Sequence, residues 1–302
     1  MFIVKHRTLF FTLTAALVVA ALISVFTFGL HLGTDFEGGA LVQVTYPAGR
    51  PDAAIVQTSL DTAGFKGYSL REANTQDYIL RAPALTTMQR ENLIQTFSVA
   101  GDTATISQLT EVGPTIGTEL KNKSLIALSL VLLCILLFIA YAFRKVSRPI
   151  SSWVYGLIAL ITLVHDVIIP VGFFAFLGHV QGVQVDTLFV TAILTVLGFS
   201  IHDTIVVFDR TRENLAINHT KNIKEPFEET AGHSLNQTFV RSINTSLTVL
   251  ITLLILYFVG PASTKDFSLT LLVGIIAGTY SSIFLATPLL VTVADWQSKR
   301  SK

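Results

Sequence analysis

Six long apolar runs, one extended stretch of short alternating segments and several brief polar connections make up this chain. The first run, residues 8–30, follows Lys5, His6 and Arg7 and holds about 23 residues, enough to cross about 30 Å of hydrocarbon. A secretory leader would have a shorter apolar core ending at a small-residue cleavage site, so an uncleaved helix is expected. Five more runs follow near residues 124–143, 152–177, 187–208, 239–259 and 269–294. Each reads as a membrane-spanning helix, with Pro170 and Pro288 as expected kinks.

Between the first two runs the apolar positions switch to a period of two. Segments 39–46, 67–73, 77–82 and 103–112 read as strands, with a turn at 74–76. Segment 51–63, opened by Pro-Asp, and segment 86–99 read as helices. This β-α-β-β-α-β order predicts an α+β ferredoxin-like domain. Ile55, Leu60, Leu80, Leu93, Ile94 and Phe97 are its expected core. No Cys/His cluster, phosphate-binding glycine loop or carboxylate pair stands out, so a binding or lever domain without chemistry is expected.

Composition supports a membrane protein: 51% of residues are hydrophobic, 14% are charged and mean hydropathy is +0.61, against about 25% charged in soluble domains. With 21 Lys and Arg against 20 Asp and Glu, no basic field argues for nucleic acid. The single cysteine, Cys134, forms no internal disulfide. Basic residues gather at Lys5 and Arg7, at Arg144, Lys145 and Arg148, at Arg210, Arg212, Lys221 and Lys224, and at Lys299, Arg300 and Lys302. The other short connections, 178–186 and 260–267, carry only Lys265. The positive-inside rule then puts both termini in the cytoplasm. The predicted division is a cytoplasmic start and first helix (1–31), an external domain (32–122), and five helices with a cytoplasmic loop near 209–237 (123–302).

Ionisable groups inside the apolar runs are the candidate chemistry. Leu-Val-His-Asp places His165 and Asp166 in the third helix, and Ser-Ile-His-Asp-Thr places Ser200, His202, Asp203 and Thr204 in the fourth. A charged Asp at a helix centre costs about 2.5–3.5 kcal/mol on insertion scales, so each needs a partner, water or a proton. Asp203 lies about six residues, roughly 9 Å, before the end of its run, and Arg241 lies at a matching depth in the fifth helix. Arg241 is the expected partner, with Asn244, Thr245 and Thr248 following it at helical spacing. Such polar stripes fit a hydrated seam in which Asp203 takes and releases an ion. They also fit a static salt bridge, or an Arg241 that only reaches toward the headgroups. The histidines fit either proton relay or packing. Metal ligation lacks a third ligand, and an intramembrane protease would need Asp166 and Asp203 face to face. The charged stretch 209–238 reads as a solvated loop or as a gate below Asp203. Gly274 and Gly278 form a G-x-x-x-G packing motif in the last helix.

Four segments in order carry a resemblance. GTDFEGG (33–39) follows the first helix, LVHDV (163–167) lies in the third, GFSIHDTIVVFDRTREN (198–214) spans the fourth and SLNQTFVRSINTSLT (234–248) opens the fifth. The chain resembles SecF-type members of the SecD/SecF family, within the resistance-nodulation-division superfamily. The resemblance implies half of a twelve-helix inner-membrane unit, completed by SecD, that is not an enzyme. It implies use of the proton or sodium motive force to promote late-stage preprotein export with the SecYEG translocase, and with YidC and YajC as further partners. It implies no bound cofactor, only a transported H+ or Na+. Residue by residue, the D-T-I-V aspartate and the N-Q-T-x-x-R arginine of the ion pathway match Asp203 and Arg241; Ser200, His202 and Thr204, beside Asp203 in the sequence, are then expected to line the route. Asp35, Gly38 and Gly39 match the family motif beside the external domain. One departure is His202, where the family commonly has Asn; an extra titratable group there bears on ion preference. The rival readings are a half-size exporter of lipids or small molecules and a purely structural assembly subunit.

Overall fold

The computed structural model describes residues 2–99, 101–144 and 150–300. Lys145, Arg148 and Lys302 of the basic pattern lie outside the described residues. A short helix α1 (Phe2–Lys5) leads into α2 (Arg7–Phe28), which ends at Gly29, whose φ of +70° no side chain opposes. After α3 (Thr34–Glu37) come β1 (Gly39–Thr45), α4 (Ala53–Thr62), β2 (Ser69–Glu72) and β3 (Asp77–Ala82). They are followed by α5 (Thr87–Glu91), α6 (Leu93–Phe97) and β4 (Thr105–Val112). The strands form one antiparallel sheet in the order β2-β3-β1-β4, with a bulge in β1 between Gln43 and Val44.

One face of the sheet packs Val42, Val44 and Leu80 on Val56, Leu60, Leu93 and Phe97. Two residues expected in that core are outside it: Ile55 is 45% exposed and Ile94 52% exposed. Val56 and Leu60, like Leu93 and Phe97, are four residues apart and share the inward stripe. Ile55 and Ile94 lie one residue off, about 100° round their helices. The expected single helix 86–99 breaks at Asn92, and Thr86 with Gln89 forms a capping box at its start. The opposite face of the sheet, with Gln43, Ile79 and Arg81, covers the ends of membrane helices, so all six residues of β3 are buried.

Among the described residues six helices are long and apolar enough to cross a membrane: α2, α7 (Pro114–Ala142), α8 (Ser152–Gln181), α9 (Thr187–Thr220), α10 (Phe227–Val259) and a last one over Ala262–Arg300. The sheet sits at one end of the bundle, tied by the pairing of Leu32 with Val185 and by the Arg71–Asp266 ion pair at 2.9 Å. Lys265 also donates to the Ala73 carbonyl at 3.0 Å. At the far end Arg7 and Asp295 pair at 2.8 Å, bringing the first and last helices together. The last span is α11 (Lys265–Ser281), a π-turn (Ser282–Ala286) and α12 (Thr287–Arg300). Pro288 would remove the bond to residue 284 and crowd its carbonyl, and the wide turn absorbs that conflict.

The expected loop near 209–237 is mostly helix. Helix α9 runs on to Thr220 and α10 starts at Phe227, leaving only 221–226 between them. Helix formers, free of Gly and Pro, and the pairs Asp209–Arg212 (3.0 Å) and Arg210–Glu213 (2.6 Å) carry α9 through the charged run. The hairpin is closed by Glu225, which accepts from Thr230 (2.7 Å) and Asn218 (2.9 Å) and meets His233 at 3.1 Å. The Thr230 hydroxyl, then Asn218 and His233, hold the Glu225 carboxyl below its ordinary 4.5. A depressed carboxyl stabilises the fold above its unfolded value and loses that contribution as pH falls through the folded one. The protection of the amides at 221–225, corrected for intrinsic exchange, should therefore fall as pH drops below about 4.5, and Glu225→Gln should abolish that acid step.

Candidate functional site

Asp203 and Asp166 lie in the interior of the bundle, on α9 and α8, each with its own set of partners. Asp203 is 8% exposed, and its Oδ2 accepts from the Ser246 hydroxyl of α10 at 3.4 Å. Ser246 in turn accepts from Thr279 of α11 at 2.6 Å. These groups line a narrow cleft with Phe199, His202, Thr245 and Gly278, with about 10 Å³ of room, enough for a single water. Ser242, one turn before Ser246, is also buried, and its hydroxyl has no hydrogen-bond partner. Ser246→Ala should remove both the Asp203 and the Thr279 bonds. The expected destabilisation is about 1 kcal/mol, read from the thermal midpoint of the purified protein.

Asp166 is fully buried and better satisfied. Its Oδ1 lies 2.8 Å from His165 Nδ1, and its Oδ2 accepts from Ser200 of α9 and from Ser281 of α11, the latter at 2.9 Å. Adjacent helical residues normally point apart; here His165 turns back onto its neighbour. The helices around this cluster approach closely. A Cβ on Gly278 would lie 2.9 Å from the Ser200 Cβ, and one on Gly274 would lie 2.3 Å from a Val196 methyl. The G-x-x-x-G pattern thus packs α11 on α9, within this chain.

The structure corrects the expected Asp203–Arg241 pair: no ion pair joins them. Arg241 is exposed and lines a cleft of about 370 Å³ with Asp209, Arg210, Glu213 and Gln237, nearer the far end. The serines at 242 and 246 take the face of α10 that meets Asp203, and Arg241 lies about 100° away from it. Asn244 and Thr245 share the exposed side with Arg241. His202 is likewise exposed, and Thr204 is buried against Ser282 at 2.9 Å, away from the cleft. Ser200 serves Asp166 and also borders the cleft. Sequence reasoning missed Ser246 and Ser281 as partners, and Ser242 on the same face as Ser246; the spacing of 242 and 246 was the available signal. Among the described residues no three His, Cys, Asp or Glu side chains converge on a metal position, and the two aspartates share no hydrogen bond.

Asp35, Gly38 and Gly39 form a junction. Asp35 accepts from the Thr187 backbone N–H at 3.0 Å and from its hydroxyl, while Asp186 caps the same helix through the Phe189 N–H at 2.8 Å. Burial pushes the Asp186 carboxyl up, opposed by that N–H bond. Gly38 and Gly39, at φ +83° and +128°, let the chain turn between α3, β1 and the start of α7.

Two family models match this layout. One, described as the C-terminal part of the SecD/SecF protein export membrane protein, covers residues 93–296, and the SecD/SecF GG motif covers residues 23–46. The chain belongs to the SecD/SecF family. It is 42% identical over 308 residues to the protein translocase subunit SecF of Thermobaculum terrenum, covering 98% of this chain and 94% of that one. It is 38% identical over 299 residues to the SecF of Anaerolinea thermophila, with the same coverage. Among solved structures it is similar to SecDF, a translocon-associated membrane protein from Thermus thermophilus, with a TM-score of 0.83 and 31% identity. That match covers 97% of this chain and 38% of the longer SecDF chain. A super-membrane-facing form of SecDF fits with a TM-score of 0.64 and 30% identity. Membership in the SecD/SecF family and six apolar helices make this a multi-pass membrane protein.

Proposed function

We propose that this chain is a non-enzymatic accessory subunit of the Sec protein-export machinery. It works with SecD, using a proton or sodium gradient to promote late-stage preprotein movement. The observation that carries the reading is Asp203: a carboxyl inside a membrane span, at the inner end of a one-water cleft, with only hydroxyl partners. A carboxyl tied to an arginine would be locked in its charged state; one held by a single long hydroxyl bond is free to take and release an ion. Thr245 lines the cleft from the exposed polar side of α10, which Arg241 and Asn244 share. Polar groups in a membrane require protein or water around them, which fits a SecD surface closing the route. Arg241 would then tune the route's charge from its rim. The basic residues at the end opposite the sheet favour cytoplasmic termini in the inner membrane, with the sheet outside. SecYEG, YidC and YajC are the expected neighbours, and unfolded preproteins the cargo.

The test uses vesicles containing the translocase, with this chain and SecD added singly and together. An imposed gradient should stimulate late preprotein movement only when both are present, and replacing H+ by Na+ identifies the ion. Equal stimulation by this chain alone would instead favour a self-sufficient exporter.

A further inference from the structure

Asp203 does not use the most deeply buried acid in the molecule. We propose that His165 and Asp166 form a second proton-holding centre, taking up and releasing one proton per cycle and signalling its charge to α9 and α11. The proposal rests on the ion-coupled reading of Asp203. Its basis is the hydrogen bookkeeping of a buried site. Asp166 Oδ2 can accept two O–H donors, from Ser200 and Ser281, with no proton of its own. The remaining contact, His165 Nδ1 to Asp166 Oδ1 at 2.8 Å, holds one shared proton. His165 is 4% exposed and its Nε2 has no hydrogen-bond partner, so that nitrogen is an open position for one more. With Nε2 bare the pair carries one negative charge; with a proton on Nε2 it is neutral. Isolated charge is costly in such surroundings, which makes the two states differ in their demand on the donors around them.

The donors are placed to feel that difference. The Ser281 hydroxyl has a second acceptor, the Gly278 carbonyl at 3.1 Å, to which it can turn when Asp166 needs it less. Gly278 is where α11 touches Ser200 of α9, and Gly278, Ser200 and Thr279 also line the Asp203 cleft. A change of charge at Asp166 thus acts on the helix contact that shapes the cleft. Few other groups compete for the role. Helix α9 contributes Asp203, with its own partners, and α11 contributes Tyr280, whose hydroxyl bonds with Thr14 (3.1 Å) and the Phe10 carbonyl (3.3 Å). Helix α2 faces α8 with Ser24, and its Arg7 is paired with Asp295. Within its apolar run helix α7 carries the titratable Cys134 and Tyr141, and both side chains are exposed.

The test measures gradient-stimulated preprotein movement against pH, in vesicles holding the full chain, SecD and the translocase. The variants are Asp166→Asn, His165→Gln and Asp203→Asn, each checked for copurification with SecD. Asp166→Asn should lower gradient stimulation by at least about tenfold. His165→Gln should change the shape of the rate–pH profile by removing one ionisation step. A structural role would scale the profile and leave its shape alone, and that result overturns the proposal, as does failure of both pair variants to assemble. If Asp203→Asn loses stimulation while both pair variants behave as wild type, only this inference falls. If Asp203→Asn responds as wild type, the ion-coupled reading and this inference fall together.

Discussion

Asp203→Asn should reduce gradient-stimulated preprotein movement to the rate seen without a gradient, with assembly unchanged. The substitution keeps the shape of the side chain, and Asn can still accept from Ser246 through its carbonyl oxygen. Packing around an 8% exposed position is therefore preserved, and what disappears is a group that changes charge. If that group is the coupling site, the loss should reach at least about tenfold, a floor beneath the roughly 10²–10⁴-fold that a positioned proton carrier contributes to a rate. Arg241→Gln gives a useful contrast. Since Arg241 lines the charged cleft and makes no ion pair with Asp203, its removal should weaken stimulation partially and alter its salt dependence. Full response to the gradient by Asp203→Asn would assign that residue to packing.

Gly39→Ala is expected to have the largest effect on folding. Its φ of +128° lies where side chains are strained, and a Cβ there would meet the Ala82 carbonyl oxygen of β3 at 2.4 Å. The neighbour is strand backbone rather than a movable side chain, so strain and displacement together should cost about 3 kcal/mol or more. Gly49→Ala is the control: φ is +106°, but nothing lies within 4 Å of the added carbon. It should cost about 1–2 kcal/mol, from backbone strain alone. Thermal midpoints and the yield of folded protein in detergent would separate the two, and equal losses would show that the contact with β3 is unimportant.

The spans and the sheet domain were legible because both rest on periodicity. An apolar run near 20 residues has one cheap solution in a bilayer, and short alternating segments have one beside it. Asp203 was legible because its cost inside a span is local. Its partner was not, because a partner depends on how two helices are turned about their axes. One residue along α10 moves a side chain about 100°, enough to exchange Arg241 for Ser242 and Ser246. The same limit hid the Asp166 cluster, whose two hydroxyls come from two other helices far apart in sequence. Charge density misled in one place. Arg210, Arg212 and Glu213 were read as loop because they are polar, yet they sit in unbroken helix, supported by pairs three residues apart.

That unbroken helix has a mechanical consequence. At 34 residues α9 is about 51 Å long, well beyond a bilayer's apolar thickness. Its start is clipped to the sheet domain through Asp35 and Thr187, and its far end holds the polar hairpin with α10. A rod of that length multiplies small rotations: a tilt of about 5° at the clipped end sweeps the opposite tip through about 4 Å. Paired distance labels on Glu213 and on β1 would read such a tilt directly, turning the helix into its own pointer.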